Sequence, residues 1–284
     1  MPLDIYEEIV NLRAGGKRAA LAVIIARQGA APRKDAARML IGEDGRQIGN
    51  IGGGAVEADV VRQAKEVMDT GSPRLLSFDL SGIDHDERAL VCGGSMHIYI
   101  DPVLPDPELF IFGAGHVAKA VAEAAAAAGF RVTVFDDRAK YAAAERFPGA
   151  KTVLIKNSGD SGDWEAELGG LNLTSSSYVF VATQRPKTDR ICLRRALLSP
   201  ARYIGMLGSL TKTKILLEAL EGEGVDPAQF SRIFIPAGLD IGSETPEEIA
   251  ASVIPELIAA RKNLDVRCLR DAVRAAVSSQ RRCL

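Results

Sequence analysis

Residues 108–138, ELFIFGAGHVAKAVAEAAAAAGFRVTVFDDR, carry the strongest fold signal in the sequence. A short apolar run precedes Gly113, Gly115 and Ala118, which have the spacing G-x-G-x-x-[GA]; an alanine-rich segment and a second apolar run follow. This order is typical of a strand, a tight glycine turn, a helix and a second strand. Gly113 permits the turn, Gly115 lets a phosphate approach the backbone, and Ala118 lets the helix pack closely on the sheet. The helix N-terminus offers N–H groups to an anion, so the stretch predicts a Rossmann-type fold.

The residues that follow this turn suggest a ligand. Asp136 ends the second apolar run, about 20 residues after the glycines, where an acid can accept a hydrogen bond from a ribose hydroxyl. Asp136 and Asp137 would repel a ribose 2′-phosphate, which favours NAD over NADP, although Arg138 leaves NADP open. His116 opens the predicted helix, where the dipole disfavours a charged imidazole. A neutral His116 that donates to a phosphate or pterin and a His116 that only caps the turn are both open.

The alternation of strands and helices continues beyond this motif. Further strands are predicted at 152–155, 178–182, 202–207 and 233–235, with helices between them. Such alternation predicts a doubly wound parallel sheet covered on both faces, with ligands beyond the carboxyl ends of its strands. The side chains and turns expected around this crevice are Gly113, Gly115, His116, Asp136, Thr183, Gly208 and Ser209.

The first 103 residues predict a smaller α/β domain. A hairpin at 37–51 leads into Gly52, Gly53 and Gly54, and a helix is expected from Val56. This triple glycine is either a second anion-binding turn or a connector that packs closely. The expected organisation is a domain at 1–103, a proline-rich linker at 104–108, a Rossmann-type domain at 109–262, and a basic helical tail at 263–284.

The composition excludes several classes of protein. The 284 residues are 47% apolar and 25% charged with a net charge of −2, which is typical of a globular protein and gives no basic surface for nucleic acid or membrane. No apolar stretch approaches the ~20 residues of a membrane span. The N-terminal pattern is that of an amphipathic helix, so a cytoplasmic location is expected. The four cysteines form no C-x-x-C pair, so neither a structural zinc site nor a disulfide framework is expected.

Several stretches together resemble one family. They are 31–34, 37–39, 51–54 with 56–58, 92–94, 112–118, 134–138, 203–205 with Gly208-Ser209, and 238–242 with 245–250. In this order and spacing they resemble the xanthine dehydrogenase accessory factors of the XdhC/CoxI family. The sequence departs from the common family pattern at Ala55 and Gln184, where many members have a cysteine and a histidine, so roles of those side chains are not transferred.

The resemblance implies a function in cofactor delivery. Members hold the molybdenum cofactor (molybdopterin) and deliver it to an apo molybdenum hydroxylase, often with a cysteine desulfurase that supplies the terminal sulfur ligand. This implies an insertion factor rather than a turnover enzyme, built as a small α/β domain followed by a Rossmann domain. A delivery protein of this kind is compatible with a homodimer.

Cys92 is the strongest single candidate residue. It precedes Gly93 and Gly94, whose backbone amides can surround the sulfur and favour the thiolate. A thiolate there could ligate molybdenum or carry sulfur, and a small buried cysteine is the alternative. Arg33 could bind an anion or lie in a solvated loop, and Glu57 could contact the cofactor or simply favour the helix start.

Two other functions are compatible with the glycine turn. An NAD-dependent oxidoreductase would use the G-x-G-x-x-A turn, but no convincing acid/base pair lies beside the expected nicotinamide position. A nucleotide-sensing regulatory module would use the same turn without chemistry. The sequence favours the cofactor-insertion factor over both.

Overall fold

The computed structural model describes residues 4–29, 37–79, 94–156, 162–208 and 210–264. These residues form two sheets that follow one another along the chain. Residues 104–107 connect the last strand of the first sheet to the first strand of the second. Among the described residues, no helix is both long and apolar enough to cross a membrane.

The N-terminal sheet has five antiparallel strands in the order β3-β2-β1-β5-β4. Its elements are helix α1 (Ile5–Ala14), strands β1 (Ala19–Gly29), β2 (Arg38–Gly42) and β3 (Gln47–Gly49), helix α2 (Gly54–Thr70), and strands β4 (Arg74–Asp79) and β5 (Gly94–Val103). Helix α2 buries Val60, Ala64 and Val67 against one face of this sheet. Helix α1 lays Ile5 and Ile9 on the other face, so the sheet has a helix on each side.

The second sheet has six parallel strands. Its elements are β6 (Glu108–Phe112), α3 (His116–Ala127), β7 (Arg131–Asp136), β8 (Lys151–Leu154), α4 (Gly162–Gly169), β9 (Ser177–Val181), α5 (Pro186–Leu197), β10 (Tyr203–Met206), α6 (Leu210–Gly222), β11 (Ile233–Phe234) and α7 (Pro246–Lys262). Strands β9 and β10 are buried along their whole length, as expected for strands covered on both faces.

The strand order β11-β10-β9-β6-β7-β8 confirms the Rossmann prediction. It is the doubly wound order, in which the direction of progression reverses between the first and fourth strands, here β6 and β9. Alternate residues of β6 face opposite layers: Leu109 and Ile111 pack in the core with α3 and α7, whereas Phe110 and Phe112 pack in the core with α4, α5 and α6. The reversal leaves a crevice at the carboxyl ends of β6 and β9.

Three elements are longer than their apolar sequence pattern suggests. Strand β1 continues past the apolar run 19–26 to Gly29, because β5 begins at Gly94 and the two glycines pair. Helix α4 has eight residues, although the segment around it is polar and rich in glycine. Helix α5 begins at Pro186, since a proline at the first helical position lacks only an N–H that would be unpaired there anyway.

Helix α7 begins at a complete capping box. Thr245 caps the helix by accepting from the Glu248 N–H, Pro246 is the first helical residue, and the Glu248 carboxylate accepts from the Thr245 N–H. This reciprocal capping box lowers the pKa of Glu248. The predicted tail from residue 265 onward lies outside the described residues.

The two sheets meet through the amino ends of the parallel strands. The Ser175 hydroxyl, just before β9, donates to Glu43 Oε2 at 2.7 Å, and Arg202 Nη2, just before β10, donates to the Asp69 carbonyl at 2.8 Å. Glu43 lies in the β2–β3 turn and Asp69 near the end of α2. The contact therefore involves the edge of the parallel sheet opposite to the crevice.

Candidate functional site

The glycine turn after β6 depends on Gly113. Its φ is +103°, and a Cβ built there would lie 2.6 Å from the Ala182 carbonyl carbon and 2.9 Å from the Thr183 nitrogen, at the end of β9. Real Cβ atoms do not approach so closely, so only glycine lets β6 turn directly against the neighbouring strand. The turn therefore requires glycine at position 113 whether or not a ligand binds.

Gly115 differs from Gly113 in the space around it. A Cβ built at Gly115 meets nothing within 4 Å, and its φ of −68° suits any residue. Gly115 is the N-cap of α3, and no side chain of the described residues caps this helix start. His116, the next residue, is exposed. An anion can therefore approach the α3 N-terminus over Gly115 without displacing protein atoms.

Asp136 holds the glycine turn together. The residue is 2% exposed. Its Oδ2 accepts from the Ala114 N–H and from Arg138 Nη2, both at 2.7 Å. Its Oδ1 accepts from the Arg138 N–H at 2.9 Å and from Nε at 2.8 Å. Hydrogen bonding to this carboxylate raises the pKa of Arg138. A ribose hydroxyl would have to compete with four internal donors for the carboxylate that the sequence suggested as its acceptor.

A cleft of about 240 Å³ opens beside this turn, between the ends of β7 and β9. Its walls are formed by Asp136, Asp137, Arg138, Trp164, Thr183, Gln184, Arg185 and Thr188. Arg185 forms an ion pair with Asp137 Oδ2, and the Trp164 indole N–H lies 3.4 Å from the same oxygen. Both arginines of the cleft are thus paired with its two carboxylates, so the cleft is polar and has no net charge.

Thr183 orients the start of α5. Its hydroxyl donates to Asp189 Oδ1 at 2.6 Å, and its backbone N–H donates to the same oxygen at 3.2 Å. Lys212 Nζ of α6 contacts the other oxygen of this buried carboxylate at 2.6 Å. Gly208, at the end of β10, lies close to the Lys212 side chain. The carboxyl ends of β9 and β10 are therefore connected through Asp189.

The triple glycine lies in the N-terminal region. Gly52, Gly53 and Gly54 have φ values of +132°, +80° and +71°, and a Cβ built on any of them meets nothing within 4 Å. Glu57 Oε2 accepts from the Gly53 N–H and from Asn50 Nδ2, both at 3.1 Å. Glu57 therefore fixes this second glycine turn, which is open to solvent at the start of α2.

The two glycine turns lie far apart within one copy of the chain. Helix α2 starts at Gly54 of the triple glycine, and its last turn lies at the contact between the sheets, where Arg202 Nη2 donates to the Asp69 carbonyl. Its 17 residues span roughly 25 Å, which places the triple glycine well away from that contact. The crevice lies at the carboxyl ends of the parallel strands, away from the same contact. One small ligand cannot touch both turns in this arrangement.

Four of the predicted site residues, Arg33, Cys92, Gly93 and Ser209, lie outside the described residues. Within the described part of the chain, no group of three or more His, Cys, Asp or Glu side chains could hold a metal ion. Cys192 is fully buried in α5, and burial raises the pKa of its thiol well above the ordinary value. It is therefore a poor nucleophile.

The sequence did not single out four residues of the cleft: Trp164, Gln184, Arg185 and Thr188. These side chains reach the crevice because α4 is a full helix and α5 begins as early as Pro186. Pro186 was the available signal. A proline at the first helical position places Thr188 in the first turn, directly after β9.

The fold and the crevice define a Rossmann-type protein with an anion-accessible glycine turn. Residues 109–257, just over half of the chain, match the model of the XdhC Rossmann domain, and residues 12–79 match that of the XdhC and CoxI family. The chain therefore belongs to the XdhC/CoxI family, as the sequence motifs predicted.

Three curated relatives are similar over most of the chain. YqeB of Escherichia coli (strain K12) is 32% identical over 92% of the chain and 47% of its own length. A protein of Bacillus subtilis (strain 168), named as a probable xanthine dehydrogenase subunit, is 26% identical over 88% and 95%. PaoD of E. coli, a molybdenum cofactor insertion chaperone, is 23% identical over 89% and 86%. The chain thus spans about half the length of YqeB and most of the other two.

Proposed function

We propose that this protein is an accessory factor that binds the molybdenum cofactor and assists its sulfuration and insertion into a xanthine dehydrogenase-type molybdenum hydroxylase. Membership of the family supports the accessory role. Among the similar proteins, one is named as a cofactor insertion chaperone and one as a probable xanthine dehydrogenase subunit. The cofactor is cargo here, held and passed on rather than used in turnover.

The open glycine turn at Gly115 is the observation that carries the proposal. Molybdopterin ends in a phosphate, and a helix N-terminus with free approach is a favourable place for a phosphate. The space over Gly115 is empty to 4 Å, whereas the space at Gly113 is filled by the end of β9. His116 is exposed on the first turn of the same helix and can donate to a bound phosphate or pterin.

The N-terminal turn is proposed as a second contact in delivery. Gly52, Gly53 and Gly54 present an open turn that Glu57 holds in place. Arg33, Cys92, Gly93 and Gly94 belong to the same family motifs, with Cys92 as molybdenum ligand or sulfur carrier. A cysteine desulfurase would supply that sulfur. Because this turn is far from the crevice, we assign the two turns to different steps rather than to one binding site.

An NAD-dependent oxidoreductase has less support from the site. The acid expected to bind the ribose, Asp136, is 2% exposed and already accepts four hydrogen bonds. The cleft of about 240 Å³ is also smaller than the roughly 300–1,000 Å³ of pockets for drug-sized ligands. A whole dinucleotide would therefore need additional surface.

Cofactor retention by the purified chain tests the proposal. The protein is incubated anaerobically with molybdenum cofactor, unbound material is removed, and retained pterin is quantified as its fluorescent oxidation product. We expect wild type to retain the cofactor and Gly115→Val to lose at least about 90% of it, since a loss of 1.4 kcal/mol in binding is already tenfold. Gly115→Val should keep its fold because the added side chain meets open space.

The matched control is Gly222→Val, the same substitution at the last residue of α6, where φ is also ordinary and the Cβ also meets nothing within 4 Å, but at the end of the helix away from the crevice. A protein that retains no cofactor in any form would contradict the proposal. Cys92→Ala runs in parallel; retention by this variant with reduced hydroxylase activation would assign Cys92 to sulfur transfer rather than to binding.

A further inference from the structure

The cleft beside the glycine turn has a buried hydroxyl with no partner among the described residues. Thr188 is 2% exposed, and its Oγ1 is buried without a hydrogen bond. Thr188 is the third residue of α5 and lines the cleft together with Asp137 and Arg185. Leaving a buried hydroxyl unpaired is unfavourable, so such an atom at a cleft wall points to a ligand that pairs with it.

Asp137 has a second unused hydrogen-bonding position. Both of its partners, Arg185 and the Trp164 indole, contact Oδ2, and no described residue donates to Oδ1. Its side chain is 11% exposed. The cleft therefore presents a carboxylate oxygen that accepts, an arginine that donates beside it, and a hydroxyl that can do either.

Size and charge restrict what can occupy this cleft. About 240 Å³ accommodates one fused heteroaromatic ring system rather than a dinucleotide. The two arginines are neutralised by the two carboxylates, so the cleft suits an uncharged polar ring, and the anion-accessible site is the separate turn at Gly115. A ring in the cleft and a phosphate over Gly115 can therefore belong to one ligand.

We infer that the cleft binds a 2-amino-4-oxopyrimidine edge, as found in pterins and in guanine. This edge presents two adjacent N–H donors and a carbonyl acceptor. The donors match Asp137, and the carbonyl matches Arg185. Adenine offers a single amino donor beside a ring-nitrogen acceptor, so it leaves the carboxylate or the guanidinium without a complement. Reading a single base by its edge within an aromatic-walled pocket is an established mode of recognition.

This inference rests on the proposed function, because it assigns the pterin end of the cargo to the cleft and its phosphate to the α3 N-terminus. It adds a specificity that the family resemblance does not contain: the Rossmann crevice, which in many proteins takes adenosine, here prefers the pterin edge. Asp137, Arg185 and Thr188 are the residues that set this preference.

Calorimetric titration of the full chain tests the inference. The ligands are neopterin, GMP, IMP and AMP; IMP is GMP without the 2-amino group. We expect neopterin and GMP to bind at least about tenfold more tightly than IMP and AMP, the ratio expected for one hydrogen bond to a charged group. Because neopterin lacks the phosphate of GMP, pterin and guanine are compared as neopterin and guanosine; tighter binding of guanosine would support the edge and assign it to a guanine nucleotide. Trp164, the single tryptophan of the chain, lines the cleft and should change its fluorescence on binding.

Two variants separate the inference from a loss of fold. Asp137→Asn should abolish the preference for GMP over IMP. Thr188→Val, which replaces the unpaired hydroxyl with a methyl of the same shape, should weaken neopterin about fivefold or more without lowering the melting temperature. Asp106→Asn, at an exposed carboxylate far from the cleft, is the matched control and should change nothing.

Equal binding of AMP and GMP, or a GMP preference that survives Asp137→Asn, would overturn the inference. The proposed function fails separately. Retention of molybdenum cofactor without any binding of neopterin or GMP would leave the carrier function standing and remove the cleft assignment. Binding of neopterin without retention of the cofactor would remove the carrier function and leave the cleft assignment standing.

Discussion

Gly113→Ala is expected to destabilise the protein by about 3–5 kcal/mol, a large part of the roughly 5–15 kcal/mol by which folded proteins are usually stable. A residue other than glycine held at a φ of +103° costs about 1–3 kcal/mol in backbone strain. The new Cβ also collides with the end of β9, and overpacking of this kind adds about 1–3 kcal/mol. Neither backbone can move away easily, because β6 and β9 are neighbouring central strands. Urea unfolding followed by circular dichroism gives the free energy of unfolding.

Gly115→Ala provides the internal comparison for this prediction. It is the same substitution two residues later, at an ordinary φ and with open space around the new Cβ. We expect its free energy of unfolding to lie within about 1 kcal/mol of wild type, as for substitutions that add no strain. Equal stability of the two variants would mean that the turn after β6 does not approach β9 as described.

Asp136→Asn should be the second large effect, a loss of about 3 kcal/mol. Removing one partner of a buried ion pair costs about 3–5 kcal/mol. Arg138 remains a quarter exposed, so water can solvate it in part and the loss falls at the lower end of that range. The amide also places a donor group against the Ala114 N–H or the Arg138 guanidinium, where only an acceptor fits. The measurement is again urea unfolding.

An exposed carboxylate is the matched control for Asp136→Asn. Asp106→Asn breaks an ion pair with Arg13 in which both side chains are more than half exposed. Such surface pairs contribute about 0–1 kcal/mol, so this variant should be close to wild type. If Asp136→Asn lowered the free energy of unfolding as little as this control, the Asp136 carboxylate would not be held by Ala114 and Arg138. The ribose-binding role that the sequence suggested would then regain support.

The sequence predicted the Rossmann fold because its signals are local. Within six residues, Gly113 indicates a tight turn, Gly115 a backbone that a phosphate can approach, and Ala118 a helix packed closely on the sheet. The alternation of strands and helices then fixes which strand ends share an edge. The expected neighbourhood of the glycine turn, Asp136 and Thr183 follows from those rules alone and agrees with the structure.

What the side chains do in the crevice could not be predicted in the same way. Asp136 has the position of a ribose acceptor, but the arginine two residues later folds back on it, and this depends on side-chain geometry that spacing does not encode. The cleft likewise requires α4 and α5 to start where they do, which brings Trp164 and Thr188 to one wall. These are tertiary contacts between segments more than 20 residues apart.

The distance between the two glycine turns also could not be predicted from the sequence. Both turns precede helices and both look like anion sites, which suggests a shared ligand. Their separation depends on the length of α2 and on which end of the parallel sheet forms the contact, and no single motif reports either. The hydrogen bonds of Ser175 and Arg202 across the sheets decide it by placing the contact at the amino ends of the parallel strands.

Transfer of cofactor to a client tests delivery most directly. The chain loaded with sulfurated molybdenum cofactor is mixed with an apo form of a xanthine dehydrogenase-type hydroxylase, and the rate at which hydroxylase activity appears is measured. The control contains the same amount of free cofactor with the Gly115→Val chain. We predict that the loaded wild-type chain restores activity at least about tenfold faster than this control. This ratio corresponds to an activation free energy for insertion that is lower by about 1.4 kcal/mol. Activation no faster than with free cofactor would contradict a role in insertion.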